Sequence, residues 1–169
     1  MAKRIRHTRS TLLVVGEGDT EVAFLRHLRV IFCSDGKGVE VTIRNAYGKG
    51  PENVINTVIG HCRSIDYDHR MAFLDTDLLW TASLKKQARA EKVEMIGSTP
   101  CIEGLLLQIL GEPVPSSSSA CKKKLQDLLG SDMTDRDHYG SRFSRGVLMA
   151  ARLKIPELHA LLNRFDGGK

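Results

Sequence analysis

Two carboxylates, two residues apart, close the apolar run Met71-Ala72-Phe73-Leu74-Asp75-Thr76-Asp77. A second apolar run, Leu12-Leu13-Val14-Val15, ends in Gly16-Glu17-Gly18 and supplies a third acid. Side chains two apart on extended backbone point the same way, with Cα atoms roughly 6–7 Å apart. Asp75 and Asp77 are therefore expected to approach one metal ion, or one each of a close pair. Hard oxygen donors of this kind suit Mg²⁺, with Mn²⁺ as a substitute, rather than zinc. Aspartates after a strand are also common turn residues. Glu17 shifts the balance toward a site, because the glycines beside it imply a tight bend and unpaired buried acids are costly.

Glu21 follows one turn into the next segment, where an acid also stabilises a helix N-terminus through the helix dipole. The same glycines would let a phosphate approach the backbone there. The turn is neither a dinucleotide-binding fingerprint, since the third glycine is missing, nor a Walker A loop. Cysteines at 33, 62, 101 and 121 are too scattered for a zinc site, and the six histidines include no His-x₃-His pair. A Gly-x-Ser-x-Gly elbow is absent. Among basic groups, Lys85, Lys86 and Arg89 could line a phosphate groove, as could Lys122, Lys123 and Lys124, although solvated helix faces often carry such runs. Lys37 and Lys49 lie in Gly-Lys-Gly loops. The segment from Asp132 to His138 reads as a capped loop.

The elements that must position these residues follow from the periodicity. Strands are predicted over 11–16, 39–44, 70–74 and 92–96, each bounded by turn residues. Helices are predicted from Asp19 or Thr20 to Arg29 or Cys33, then over 51–64, 79–91 and 101–110. Between 111 and 119 a Gly, Pro and Ser-rich stretch reads as a flexible connection, followed by helices near 120–130, 141–152 and 156–164. Strands alternating with helices predict an α/β fold. It has a mainly parallel four-stranded sheet with helices on both faces and a helical C-terminal extension. The parts are a basic mobile lead-in (1–10), the α/β domain (11–110) and the extension (111–169) packed on it. Ligands of such sheets bind outside the carboxyl ends of the strands, where Glu17, Asp75 and Asp77 fall.

Composition narrows the partners. The 169 residues carry a net charge of +5, which permits an acidic partner such as nucleic acid. Five Phe, three Tyr and one Trp argue against single-strand binding through extensive base stacking. No window approaches the ~20 apolar residues of a membrane span, and the basic start meets Glu17 and Asp19 too soon for an export signal. A cytoplasmic protein with free thiols is expected.

Taken in order, Val14-Val15-Gly16-Glu17-Gly18 and Phe73-Leu74-Asp75-Thr76-Asp77 resemble the TOPRIM domain, which places a glutamate after its first strand and Asp-x-Asp after its third. A closer likeness is to the RloB-like group, related to the TOPRIM part of OLD-family nucleases. It is carried by Glu17-Gly18-Asp19-Thr20-Glu21 and by Ser98-Thr99-Pro100-Cys101-Ile102-Glu103, and covers roughly residues 11–110. The resemblance implies Mg²⁺ held by Glu17, Asp75 and Asp77, with Glu21 and Glu103 as further ligands or edge groups. It also implies phosphoryl transfer on DNA or RNA, most directly a nuclease in a defence or restriction setting. Lys49, Lys85, Lys86 and Arg89 are the expected nucleic-acid contacts. Gly104 and Leu105 depart from the group's bulkier residues. The alternative is a non-catalytic module that binds metal and nucleic acid, or a protein partner, including a second copy of itself. A nucleotide-binding regulator with phosphate at Gly16–Gly18 is a third possibility.

Overall fold

Apolar runs without a polar face must be covered on both sides, and here helices cover them. The computed structural model describes residues 9–36 and 38–167. Most of the basic lead-in expected over 1–10, and Lys37, lie outside the described residues. β1 (Thr11–Gly16), β2 (Glu40–Asn45), β3 (His69–Asp75) and β4 (Val93–Ser98) form one all-parallel sheet in the order β2-β1-β3-β4. The expected α/β fold is the one observed.

The crossovers are α1 (Asp19–Cys33), α2 (Gly50–Cys62) and α3 (Ala82–Ala90). Alternation along the central strands divides the core in two. Leu12, Val14, Met71 and Phe73 face α1 together with α4 (Ile102–Ile109), α5 (Ser118–Leu129), α6 (Arg145–Arg152) and α7 (Pro156–Phe165). Leu13, Val15, Ala72 and Leu74 face α2 and α3. Residues beyond 110 thus share a core with the sheet. Full burial of Phe24, Leu25 and Leu28 on α1 is worth roughly 1.5–3 kcal/mol each.

Four local departures have physical causes. α3 begins at Ala82 rather than Leu79, because the Thr81 hydroxyl caps it by accepting from the Leu84 N–H at 3.1 Å. Leu78, Leu79 and Trp80 are therefore loop. The predicted 141–152 helix begins only at Arg145, where the Ser144 hydroxyl caps it, and a 3₁₀ turn over Gly140–Phe143 precedes it. The connection over 111–119, expected to be flexible, is pinned. Lys124 Nζ donates to the Pro113 carbonyl at 2.7 Å, and the Cys121 thiol to the Pro115 carbonyl at 3.3 Å. Its serines open α5 at Ser118, two residues early, with Ser117 as the cap.

The loop from Asp132 to His138 is capped as expected, Asp132 Oδ1 accepting from the Thr134 N–H and hydroxyl. Beyond it Tyr139 is fully buried, stacked on Phe24 and His27. Its hydroxyl lies 3.0 Å from the Met133 carbonyl and 3.2 Å from that of Thr20, joining the extension to the start of α1. No helix among the described residues is long and apolar enough to cross a membrane.

Candidate functional site

From β1 the chain crosses to β2 on one side and later returns to β3 on the other. The strand order therefore reverses between β1 and β3, the place where parallel sheets open a crevice. Glu17 and Asp75 stand on either side of it. The Glu17 N–H extends the ladder by donating to the Phe73 carbonyl at 3.2 Å, and its own carbonyl accepts from the Gly48 N–H at 2.8 Å. With both backbone groups tied, the side chain has a fixed base. Its Oε2 accepts from the Asp75 N–H at 3.1 Å.

Gly16 brings α1 against this edge. A Cβ there would lie 2.9 Å from Glu21 Cβ and 3.2 Å from a Val22 methyl, so only glycine lets the first turn sit so close. Neither Gly16 nor Gly18 adopts positive φ; Gly18 is extended at φ −144°. The chain does bend at Glu17 and Gly18, as expected, but without left-handed backbone, and what Gly16 supplies is space for α1. Glu21 is consequently buried, 4 % exposed. One of its oxygens accepts from the Gly18 N–H at 3.1 Å, half of a capping box, and its carboxyl meets that of Asp75.

Asp75 is held from the other side by β4 and α4. Its Oδ1 accepts from the Ile102 N–H at 2.8 Å and from the Ser98 hydroxyl at 3.2 Å. Glu103 follows on the first turn of α4, 6 % exposed, and among the described residues its Oε2 has no hydrogen-bond partner. A cavity of about 180 Å³ lined by Thr20, Lys122, Leu125 and Met133 reaches this glutamate. Gly104 lets α4 start here. A Cβ would come within 2.8 Å of the Thr99 carbonyl oxygen and 2.9 Å of Pro100, so the small residue is required by packing.

Four acids thus lie close enough to act on one another's charge. Among the described residues none of Glu17, Glu21, Asp75 or Glu103 forms an ion pair. Burial, reinforced by the charges of Glu21, Glu17 and Glu103, pushes the Asp75 carboxyl up to about 8, against the pull of the Ile102 N–H. Burial, then Glu103 and Glu17, raises Glu21 to about 7. Glu17 is also raised, by burial first and by Asp77 to a lesser degree, while the Asp75 N–H opposes. Both carboxyls of the Asp75–Glu21 pair are thus pushed toward their protonated forms by burial and by each other's company.

Asp77 behaves differently from the sequence expectation. The strand ends at Asp75, so Asp77 lies on a bend and is not the extended i, i+2 partner that spacing predicts. It is exposed, and its Oδ2 accepts from the Ser118 hydroxyl at 3.0 Å. Among the described residues no three His, Cys, Asp or Glu side chains are arranged as a ready-made metal site.

Of the basic residues, Lys49 is exposed in the β2–α2 loop, and that loop is bonded to Glu17. Lys86 is exposed on α3, while Lys85 and Arg89 line a separate hollow with Trp80, Val93 and Met95. Sequence reasoning missed Ser98 as the holder of Asp75 and Ser118 as the partner of Asp77. The first was visible only as part of a motif, and the second was hidden in a low-complexity serine run. Comparison of the chain with family models, with curated proteins and with solved structures finds no match.

Proposed function

We propose that the chain is a metal-dependent nuclease of TOPRIM type, closest in its motifs to the RloB-like group. The observation that carries this reading is the grouping of Glu17, Glu21, Asp75 and Glu103, none of them in an ion pair among the described residues, at the switch point of a parallel sheet. Such a cluster is costly unless something positive completes it. The donor set fits a hard divalent ion: every group is a carboxylate oxygen, and the buried Glu103 Oε2 lacks any donor. Glu17, Asp75 and Asp77 would hold Mg²⁺ or Mn²⁺, with Glu21 and Glu103 beside them. When bound, the ion supplies Lewis-acid polarisation of a phosphodiester and a water of lowered pKa.

The chain's own residues do the rest. Glu17, with a raised pKa and a backbone locked into the sheet, is suited to hold or move a proton at its carboxyl. Ser98 and the Ile102 N–H keep Asp75 from swinging. Lys49, with Lys85, Lys86 and Arg89, would contact phosphates of DNA or RNA, and the net charge of +5 favours such a partner. The setting that the motif likeness implies is cytoplasmic and associated with defence, with a protein partner or second copy selecting the substrate. The test is incubation of the protein with plasmid, linear DNA and RNA, with Mg²⁺ or Mn²⁺, beside Asp75→Asn. Cleavage by the wild type alone supports the reading; equal activity in both, or none with either metal, refutes it.

One observation favours a second reading. Asp77 is engaged by Ser118, and among the described residues no three acids are already arranged around an ion. A non-catalytic module that binds metal and nucleic acid or a protein partner fits that arrangement. It predicts metal-dependent stabilisation with no strand cleavage.

A further inference from the structure

Trp80, half-buried and the only tryptophan in the chain, is seated by two independent contacts. Its indole N–H donates to the Asp75 carbonyl at 3.2 Å. Its six-membered ring takes the place of a side chain at Gly97, where a Cβ would lie 2.7 and 3.0 Å from Cη2 and Cζ2. This ring forms one wall of a hollow of about 350 Å³. Ala88, Val93 and Met95 continue the apolar lining, and its charged residues are Lys85 and Arg89, with no acid beside them. The two cations stand one turn apart on the same face of α3. Among the described residues neither forms an ion pair and neither lies over the indole.

The hollow lies on the sheet face opposite the acids. Asp75 follows Met71 and Phe73 on the side of α1 and α4, and its carboxylate meets the α4 N-terminus. Trp80, Ala88, Val93 and Met95 pack instead with Leu13, Ala72 and Leu74. The hollow also runs away from the acids, because α3 returns the chain to the start of the next parallel strand. Trp80 adjoins Asp75 at the carboxyl edge, whereas the Glu91 carbonyl, just past α3, accepts from Arg70 near the start of β3.

We infer that this hollow is a site for a free nucleoside polyphosphate, its base laid against Trp80 and its phosphates at Lys85 and Arg89. An occupant must bring a flat apolar group to the lining and negative charge to the two cations, and a nucleotide carries both. A guanidinium fork and an ammonium one turn apart suit successive phosphates, and an indole suits any base. The volume is in the range of pockets that take small ligands. A nucleic-acid strand is the poorer occupant, since the hollow leads down the sheet and not across the acids. The assignment leaves Lys49 and Lys86 to the nucleic acid of the nuclease reading, and it does not require that reading.

Trp80 reports on its own site. The whole chain in EDTA is titrated with ATP, adenosine, inorganic tripolyphosphate and oligothymidylate while indole fluorescence is read, and equilibrium dialysis with labelled ATP repeats the measurement without the ring. ATP should change the fluorescence saturably, and adenosine and tripolyphosphate should each bind more weakly, since each fills one half. Lys85→Ser and Arg89→Ser should each weaken ATP about tenfold. Both residues are exposed, so both variants should melt as the wild type does. Lys86→Ser, exposed on the same helix but outside the lining, should keep its ATP affinity. No saturable change with ATP, tripolyphosphate binding as tightly as ATP, or an equal loss in Lys86→Ser overturns the inference. Oligothymidylate binding more tightly than ATP through Lys85 and Arg89 would give the hollow to a strand and overturn it too. Binding is read without metal, so cleavage or its absence bears on the nuclease reading alone.

Discussion

Replacing Asp75 by asparagine should make the metal-free protein more stable at pH 8, although it removes a proposed metal ligand. Asparagine imitates the protonated acid: its Oδ1 can still accept from Ile102 and Ser98, and its NH₂ can donate to Glu21. In the wild type the Asp75 carboxyl is raised from 3.8 to about 8, and Glu21 from 4.5 to about 7. The unfolded chain releases these protons near pH 4, whereas the folded chain holds them until pH 7–8. Folded protein thus binds more protons across that interval, and stability must fall as pH rises through it. A tenfold change in proton affinity corresponds to about 1.4 kcal/mol, and Glu21 shares the burden, so one substitution should return about 2–4 kcal/mol above pH 8. For a chain of this size that is an increase in Tm of about 5–15 °C. The advantage should vanish below about pH 4, where both states are protonated. The assay is thermal unfolding in EDTA from pH 4 to 9, repeated with Mg²⁺. Ion binding should raise the wild-type Tm at pH 8 and not that of Asp75→Asn. A wild type with flat stability over this range, or an Asp75→Asn protein less stable at pH 8, would refute the idea of a strained, proton-holding acid cluster.

Other substitutions separate structural from functional roles. Asp77→Asn should change metal-free stability by less than ~0.5 kcal/mol, because the residue is exposed and makes one hydrogen bond, yet it should weaken the Mg²⁺ response in the same melting assay. Gly104→Ala should cost about 1–3 kcal/mol by chemical denaturation despite alanine's better helix propensity, since its Cβ would press on the Thr99 carbonyl. Tyr139→Phe should cost about 1 kcal/mol, and hydrogen exchange should rise around Thr20 and Met133, whose carbonyls lose their donor.

Much of the architecture was legible because each central strand is an apolar run too short for a helix and bounded by turn residues. Glu17 and Asp75 were legible for a related reason: an acid closing such a run has no packing role. The position of Asp77 was not, because alternation along a strand assumes that the strand continues, and pairing with β4 stops at Asp75. Gly16 was read only as part of a bend and is also a contact point, a role set by the distance between α1 and the sheet, which local sequence does not encode. The serines at 117 and 118 read as linker and serve as a helix cap and an aspartate's partner. Their meaning depends on the loop after β3 lying beside the start of α5, a tertiary fact. Tyr47 carried no motif; its exposure arises in the β2–α2 loop, where Asn45 Oδ1 accepts from its N–H and Asn53 donates to the carbonyls of Ala46 and Gly48.

The ladder bonds on Glu17 carry an implication for how such a protein could diversify. Its N–H belongs to the sheet and its carbonyl to the β2–α2 loop, so the acid is part of the scaffold, whereas a groove of about 520 Å³ beside that loop is walled by residues such as Lys49, Glu52, Leu78 and Leu79. New walls can be tried by exchanging those residues, provided that a backbone N–H still reaches the Glu17 carbonyl. The acid would then stay fixed while the surface beside it changes, so preference could drift without the chemistry being rebuilt.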